Sequence, residues 1–240
     1  LSKPTGRILT IDIETKPALV YTFGLFKQNI GINQIVAPSA PICFAAKFLG
    51  EKEIHFHSDW TDGHKGMIEA AHRLISEADA VVSYNGDSFD LRKLMGEFLL
   101  AGLSPPPPVT SIDLLKAVRK LGFQSNKLAY IGPLLQIGKK VANEGFSLWV
   151  KVMEGDGKAQ KRMEKYNVGD IILTEQLYKR IVPFIANHPV LGEKTDKTSC
   201  GACGSTRVQS RGFRRTRSFK IQRLHCQSCG SWFEGTRSKV

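Results

Sequence analysis

Four of the chain's five cysteines stand in its last 41 residues, as Cys200-Gly201-Ala202-Cys203 and Cys226-Gln227-Ser228-Cys229, and the two pairs enclose 22 residues. Each short turn aims two sulfurs at one point, which suits a tetrahedral zinc ion held at about 2.3 Å. Gly201, Gly204 and Gly230 supply the permissive backbone that such turns need. Thr206–His225 reads as a β-hairpin, with Val208, Phe213, Phe219, Ile221 and Leu224 set among arginines. A unit this small has almost no core, so the metal must supply much of its folding free energy, and the zinc is structural. Two disulfides would need a secreted chain, and nothing directs secretion. A redox role needs only one CxxC, in a thioredoxin-like βαβ context that is missing. His225 adjoins Cys226, but four sulfurs already close the site. Cys43, in an apolar stretch, reads as a buried free thiol.

Charge draws the same boundary. The net charge is +12, and the segment 193–240 carries 11 basic and 3 acidic residues, leaving 23 and 19 for the rest. So basic a tail points to a polyanion, with nucleic acid the commonest. In Arg211-Gly212-Phe213-Arg214-Arg215-Thr216-Arg217-Ser218-Phe219-Lys220, five basic residues surround two aromatics. Arg211, Arg214, Arg215, Arg217 and Lys220 can neutralise phosphates, while Phe213 and Phe219 can stack on unpaired bases or cover the ribbon's core. A solvated basic face, or one that meets an acidic protein, is the plainer alternative.

At 42% hydrophobic and 23% charged residues, the chain as a whole has the composition of a folded protein. No apolar run reaches the roughly 18 residues of a membrane span, and no signal-peptide core precedes the first strand. The expectation is a soluble, cytoplasmic protein. The divisions expected are a main domain over 1–191, a polar linker over 192–199 and the cysteine module over 200–240. Pro105–Pro108 forms a rigid connector.

The main domain alternates in type. Arg7–Ile13, Ile42–Leu49 and Glu53–His57 read as strands, and Lys65–Ala78 has helical spacing. Ala80–Tyr84 is a short buried strand and Asp90–Ala101 a helix. Val109–Ile112 is a strand leading into the helix Asp113–Leu121, and Gln160–Ile185 is helical again. This order predicts an α/β fold, a mixed sheet with helices on its faces.

Three places carry chemistry. In Ile11-Asp12-Ile13-Glu14-Thr15, residues two apart share a strand face, so Asp12 and Glu14 form a carboxylate pair that calls for a cation. In Ser83-Tyr84-Asn85-Gly86-Asp87-Ser88-Phe89-Asp90, a buried strand breaks at Gly86 and Asp90 opens a helix. In Tyr166-Asn167-Val168-Gly169-Asp170, Tyr166 and Asp170 are four apart and share a helical face. Each motif alone could be solvated acids, a helix-start charge or a surface pair.

In this order, Asp-x-Glu, Tyr-Asn-x-x-x-Phe-Asp and Tyr-x-x-x-Asp resemble the signature of the DEDD 3′–5′ exonucleases, tyrosine branch. The wording is most similar to the proofreading domains of B-family DNA polymerases, over about residues 7–185 with no polymerase domain attached. The cysteine tail resembles a zinc ribbon, and the combination resembles phage replication proteins, which implies a bacterial or phage-infected cell.

The resemblance implies an RNase H-like fold and two-metal-ion hydrolysis of nucleic acid. Asp12, Glu14 and Asp170 would hold one Mg²⁺ or Mn²⁺, Asp12 would bridge to a second, and Asp90 would support the second. Tyr166 would orient the attacking water. Thr15, Asn85 and Phe89 would meet the terminal nucleotides of single-stranded DNA or a DNA 3′ end, and replication proteins are expected partners. An endonuclease of the same fold and a non-catalytic nucleic-acid adaptor are the competing readings. Among other candidates, Asp87 lies in the variable part of its motif, Asp113 caps a helix, and His55 and His57 follow strand alternation beside His64. His188 has no assigned role. Lys16–Pro41 is long for a loop, and Tyr21, Phe23 and Phe26 could stack on bases or pack on the sheet.

Overall fold

Alternating apolar residues make Ile8–Thr15 the first strand, β1. A computed structural model describes residues 6–185, 188–191 and 199–240. After β1 come a two-stranded arm, β2 (Leu19–Val20) and β3 (Ile35–Ala37), then β4 (Pro41–Phe48) and β5 (His55–Ser58). Next are α1 (Gly63–Ser76), β6 (Ala80–Ser83), α2 (Asp90–Leu100) and β7 (Thr110–Asp113). The helices α3 (Leu114–Arg119), α4 (Leu128–Leu134), α5 (Phe146–Met153) and α6 (Gly157–Ile181) complete the main body. Three strands of the tail follow: β8 (Val208–Arg215), β9 (Phe219–Cys226) and β10 (Trp232–Lys239).

The main sheet runs β5-β4-β1-β6-β7, antiparallel on the β5 side of β1 and parallel on the β6 side. Its two faces are covered differently. Leu9, Ile11 and Ile13 face α1 and α2, packing with Ile68, Leu74, Leu94 and Phe98. Each such fully buried aliphatic contributes about 1.5–3 kcal/mol. The opposite face meets α6: Ile8, Val82 and Ile112 pack on Leu173, Leu177 and Ile181, and Ile42 meets Met163. Asp12 and Glu14 therefore project from β1 toward α6. Buried Glu175 pairs with Lys47 of β4 and Lys179, which ties α6 to the sheet in one register.

Every element expected in the main body is present with ends shifted by a few residues; the late helix stops at Ile181 and passes into a 3₁₀ turn, Val182–Phe184. The arm strands, α4, α5 and β10 are additions. Among the described residues, no helix is long and apolar enough to cross a membrane.

The tail forms its own sheet, β10-β9-β8, whose β8–β9 hairpin is the expected one. Its four cysteines share an apolar cluster with Tyr178, Ile181 and Val182 at the end of α6. The Leu191 N–H donates to Gly201 O at 2.9 Å, and the Gly6 N–H donates to Leu191 O at 2.9 Å. Most of the expected linker, residues 192–198, lies outside the described residues.

Candidate active site and metal centres

The sheet order sets up an opening beside the end of β1. The β1–β6 pairing runs only from Ile8↔Ala80 to Thr10↔Val82. Beyond it β6 turns away through Asn85, at φ 75°, and Gly86, where an added Cβ would fall 2.1 Å from Ser83 Oγ. The Ile13 N–H, past the reach of β6, donates to Asp90 Oδ1 at 3.0 Å. Asp113 caps α3 by accepting from the Leu115 N–H at 3.0 Å, and it also accepts from the Asn85 N–H at 3.0 Å, which braces the turn.

Asp12, Glu14 and Asp170 converge between β1 and α6, each offering an oxygen within 4.8 Å of the others. Asp90 is not in that group, but it is held by the Ile13 N–H beside Asp12, whose carboxylate it repels. Burial acts on all of these acids, and the charges of other acids act on Asp12 and Glu14 and, from Asp113, on Asp90. Burial, then the charges of Asp90, Glu14 and Asp170, push Asp12 well above the usual carboxylate range. Burial first and then Asp170 raise Glu14 to about 8. Burial raises Asp90 to about 6 against the opposing Ile13 hydrogen bond. Burial also raises Asp170, whose Oδ1 is buried with no hydrogen-bond partner. Oxygen-only donors that repel one another, one of them unpartnered, fit a hard divalent cation.

These directions predict a pH dependence of stability. Each group titrates higher in the fold than in the unfolded chain, so its contribution is complete below about pH 4 and is lost as pH rises. The loss runs through about 6 for Asp90 and about 8 for Glu14. Without divalent ions, the thermal midpoint of the zinc-loaded protein should fall from pH 5 to pH 9, and millimolar Mg²⁺ should flatten the slope. A flat profile without Mg²⁺ would remove the electrostatic account of the cluster.

Tyr166 is almost buried, its ring 6.1 Å from that of Trp149. Burial lifts its hydroxyl to about 12, so it stays neutral at working pH. Lys140, a residue that sequence reasoning passed over, pairs with Asp170 Oδ2 at 2.8 Å and lies 4.9 Å from the Tyr166 ring centre. Burial alone would pull this ammonium down, but its hydrogen bonds to Asp170 and Tyr166 raise it. Gly169 makes this contact possible: a Cβ there would sit 2.5 Å from Val141 Cγ2, so only glycine lets the 139–142 segment lie against α6.

A cavity of about 500 Å³ opens alongside, lined by Thr15, Lys16, Pro17 and Ser39 at the root of the arm and by Asn143, Phe146 and Trp149. Thr15 thus borders the groove, whereas Asn85 and Phe89 stand at the α2 end; Phe89 is 38% exposed. Tyr21, Phe23 and Phe26 do not pack on the sheet; their exposures are 76%, 107% and 85%. No acidic residue occurs from Lys16 to Gly50.

The other candidates disperse. Asp87 pairs with Lys116 at 2.6 Å, His57 stacks on Phe44, and His64 meets Glu97 at 2.9 Å. His188 hydrogen-bonds the Tyr178 hydroxyl at 2.8 Å, against the tail. Cys43 is a buried free thiol.

In the tail, the sulfurs of Cys200, Cys203, Cys226 and Cys229 lie within 4.8 Å of one another, with Cys200–Cys229 and Cys203–Cys226 each at 3.7 Å. A tetrahedron of ligands about 2.3 Å from its centre has edges near 3.8 Å, so the cluster fits zinc. The hydrogen bond between Cys200 and Cys229 lowers Cys229 and raises Cys200, which favours the thiolate on Cys229. On the outer face, Arg211, Arg215 and Arg217 are exposed, whereas Arg214 pairs with Glu234. Lys220 lies over one face of Phe213, at 4.2 Å, and Arg237 over one face of Phe219, at 3.7 Å, and Phe213 is still exposed.

Residues 9–182 match the family model of the RNase H superfamily. No curated protein matches the sequence. Among solved structures, the family B DNA polymerase from the hyperthermophilic archaeon Pyrobaculum calidifontis is similar in fold, with a TM-score of 0.57 at 15% identity. The match covers 75% of this chain and 25% of the polymerase, so this chain corresponds to about a quarter of that protein's length.

Proposed function

The chain belongs to the RNase H superfamily, and from that membership and its carboxylate cluster we infer that it is a metal-dependent 3′–5′ exonuclease. Its substrate would be single-stranded DNA or a DNA 3′ end, clamped in addition by the basic zinc ribbon. The observation that carries this reading is the convergence of Asp12, Glu14 and Asp170, from two distant parts of the sequence, into one group of mutually repelling oxygens beside a groove.

Asp12, Glu14 and Asp170 would hold one Mg²⁺ or Mn²⁺, and Asp12 and Asp90 would support a second, Asp90 directly or through water. Such a pair of ions supplies a nucleophilic hydroxide at neutral pH and charge neutralisation at the scissile phosphate and the leaving 3′ oxygen. The protein's own groups then have defined tasks. The neutral Tyr166 hydroxyl orients the attacking water by hydrogen bonding. Lys140, beside Asp170, places a positive charge where the phosphodiester enters. Thr15, Phe146 and Trp149 wall the groove that receives the terminal nucleotide. Asn85 and Phe89 border the strand's path from the other side. The projecting Tyr21, Phe23 and Phe26 offer stacking faces, and Arg211, Arg215 and Arg217 offer phosphate contacts on the ribbon.

Tyr166→Phe should slow single-turnover cleavage by roughly 10- to 10³-fold without abolishing it, since it removes one hydroxyl and leaves the carboxylates. An unchanged rate would make Tyr166 a packing residue against Trp149. Polarity is tested by offering linear 5′-labelled and circular single-stranded DNA. A ladder shortening from the 3′ end with circles intact supports the exonuclease. Cut circles would identify an endonuclease, and binding without cleavage would identify an adaptor.

A further inference from the structure

We propose that Asn167 is a positioning residue that clamps one oxygen of Asp12 and so fixes which oxygen faces the cation. The inference rests on the reading that Asp12, Glu14 and Asp170 bind a divalent ion. Asn167 follows Tyr166 on α6 and lies three residues before Asp170, on the side of the helix that meets β1. Its side chain is fully buried. Its Nδ2 donates to both Asp12 Oδ2, at 2.7 Å, and the Asp12 carbonyl oxygen, at 3.2 Å. One amide group therefore grips the backbone and the carboxylate of the same residue. That double hold restricts Asp12's side-chain torsions and leaves Oδ1 as the oxygen Asn167 does not hold.

The surroundings explain why such a grip is needed. Asp12 is repelled by Asp90, Glu14 and Asp170 together, so an unrestrained carboxylate would swing to relieve the repulsion. A lysine in this place would hold the oxygen but cancel charge that attracts the cation, as Lys140 does for Asp170. A neutral amide orients without neutralising. The cost is visible in the fold: Asn167 Oδ1 is buried with no hydrogen-bond partner, an arrangement packing alone does not require. The grip also links the two halves of the site, because it attaches the motif strand β1 directly to the helix that carries Tyr166 and Asp170.

The test is calorimetric titration of the zinc-loaded full chain with MnCl₂, without nucleic acid, for the wild type, Asn167→Ala and Asn167→Leu. Leucine keeps the branched shape and deletes the donor; alanine deletes both. Both variants should bind Mn²⁺ about ten-fold or more weakly, and their cleavage rates should recover toward wild type as Mn²⁺ is raised to saturation. Circular dichroism and zinc content check folding, and Asn167→Ala, which adds no atoms, decides if leucine is not accommodated. Unchanged Mn²⁺ affinity in the folded variants, or affinity restored by leucine, would overturn the proposal while leaving the nuclease reading in place. A wild-type chain that binds no Mn²⁺ would overturn both.

Discussion

Asp12→Ala and Asp170→Ala are each expected to lower cleavage by at least about 10³-fold, a loss of several kcal/mol of transition-state stabilisation. Both acids sit in the group whose oxygens approach within 4.8 Å, and neither has a neighbour able to substitute for it among the described residues. Stability should move the other way for Asp12. Burial and three neighbouring acids hold its ionised form at high free energy, so at pH 8 without divalent ions Asp12→Ala should unfold at no lower temperature than the wild type. Loss of cleavage through misfolding would instead lower the midpoint. Kinetics and thermal unfolding of the same preparations separate the two, and near-wild-type turnover in either variant would dissolve the site.

Removing zinc from the tail is expected to have the largest structural effect. The β8–β10 sheet surrounds a core of little more than Ile221, Leu224 and the four sulfurs. Structural zinc in units of this size contributes on the order of 10–16 kcal/mol of apparent binding free energy, which is also folding free energy. A Cys203→Ser chain should lose the sheet and become open to proteolysis after residue 199. The loss should also reach the main body, because Tyr178, Ile181 and Val182 bury themselves against the cysteine cluster. Limited proteolysis and the main-body thermal midpoint measure both parts. A ribbon that stays protected, with an unchanged midpoint, would show that zinc is not what folds it.

The parts of the molecule legible in the sequence are those where chemistry and periodicity act locally. Alternation in Ile8–Thr15 places Asp12 and Glu14 on one face regardless of tertiary detail, and CxxC turns aim their sulfurs within four residues. The order of Tyr166 and Asp170 on α6 follows from helical spacing alone. What was not legible depends on contacts between distant segments. Lys140 stands in an irregular stretch after Gly138 and looks like a solvated basic pair with Lys139; only the fold brings it to Asp170, and the cue, Gly169 opposite Val141, has no meaning until α6 is placed. Asn167 reads as an ordinary helical polar residue between two motif positions. Helix α4 contains Pro133 and α5 is eight residues long, too short for a clear period. The sequence allows the arm aromatics either to stack or to pack, and their exposure excludes packing on the sheet. Lys220 and Arg237 each lie over one face of Phe213 and Phe219, contacts that depend on strand pairing and not on local sequence.

The central claim is that three carboxylates from β1 and α6 make a divalent-ion-dependent nuclease. Its most direct measurement is the release of nucleotides from a 5′-labelled single strand by the zinc-loaded chain, with and without added Mg²⁺ or Mn²⁺, beside Asp170→Ala. Cleavage that appears only with the added ion and disappears in the variant is the predicted result. Cleavage that proceeds equally without the ion, or equally in Asp170→Ala, would contradict it.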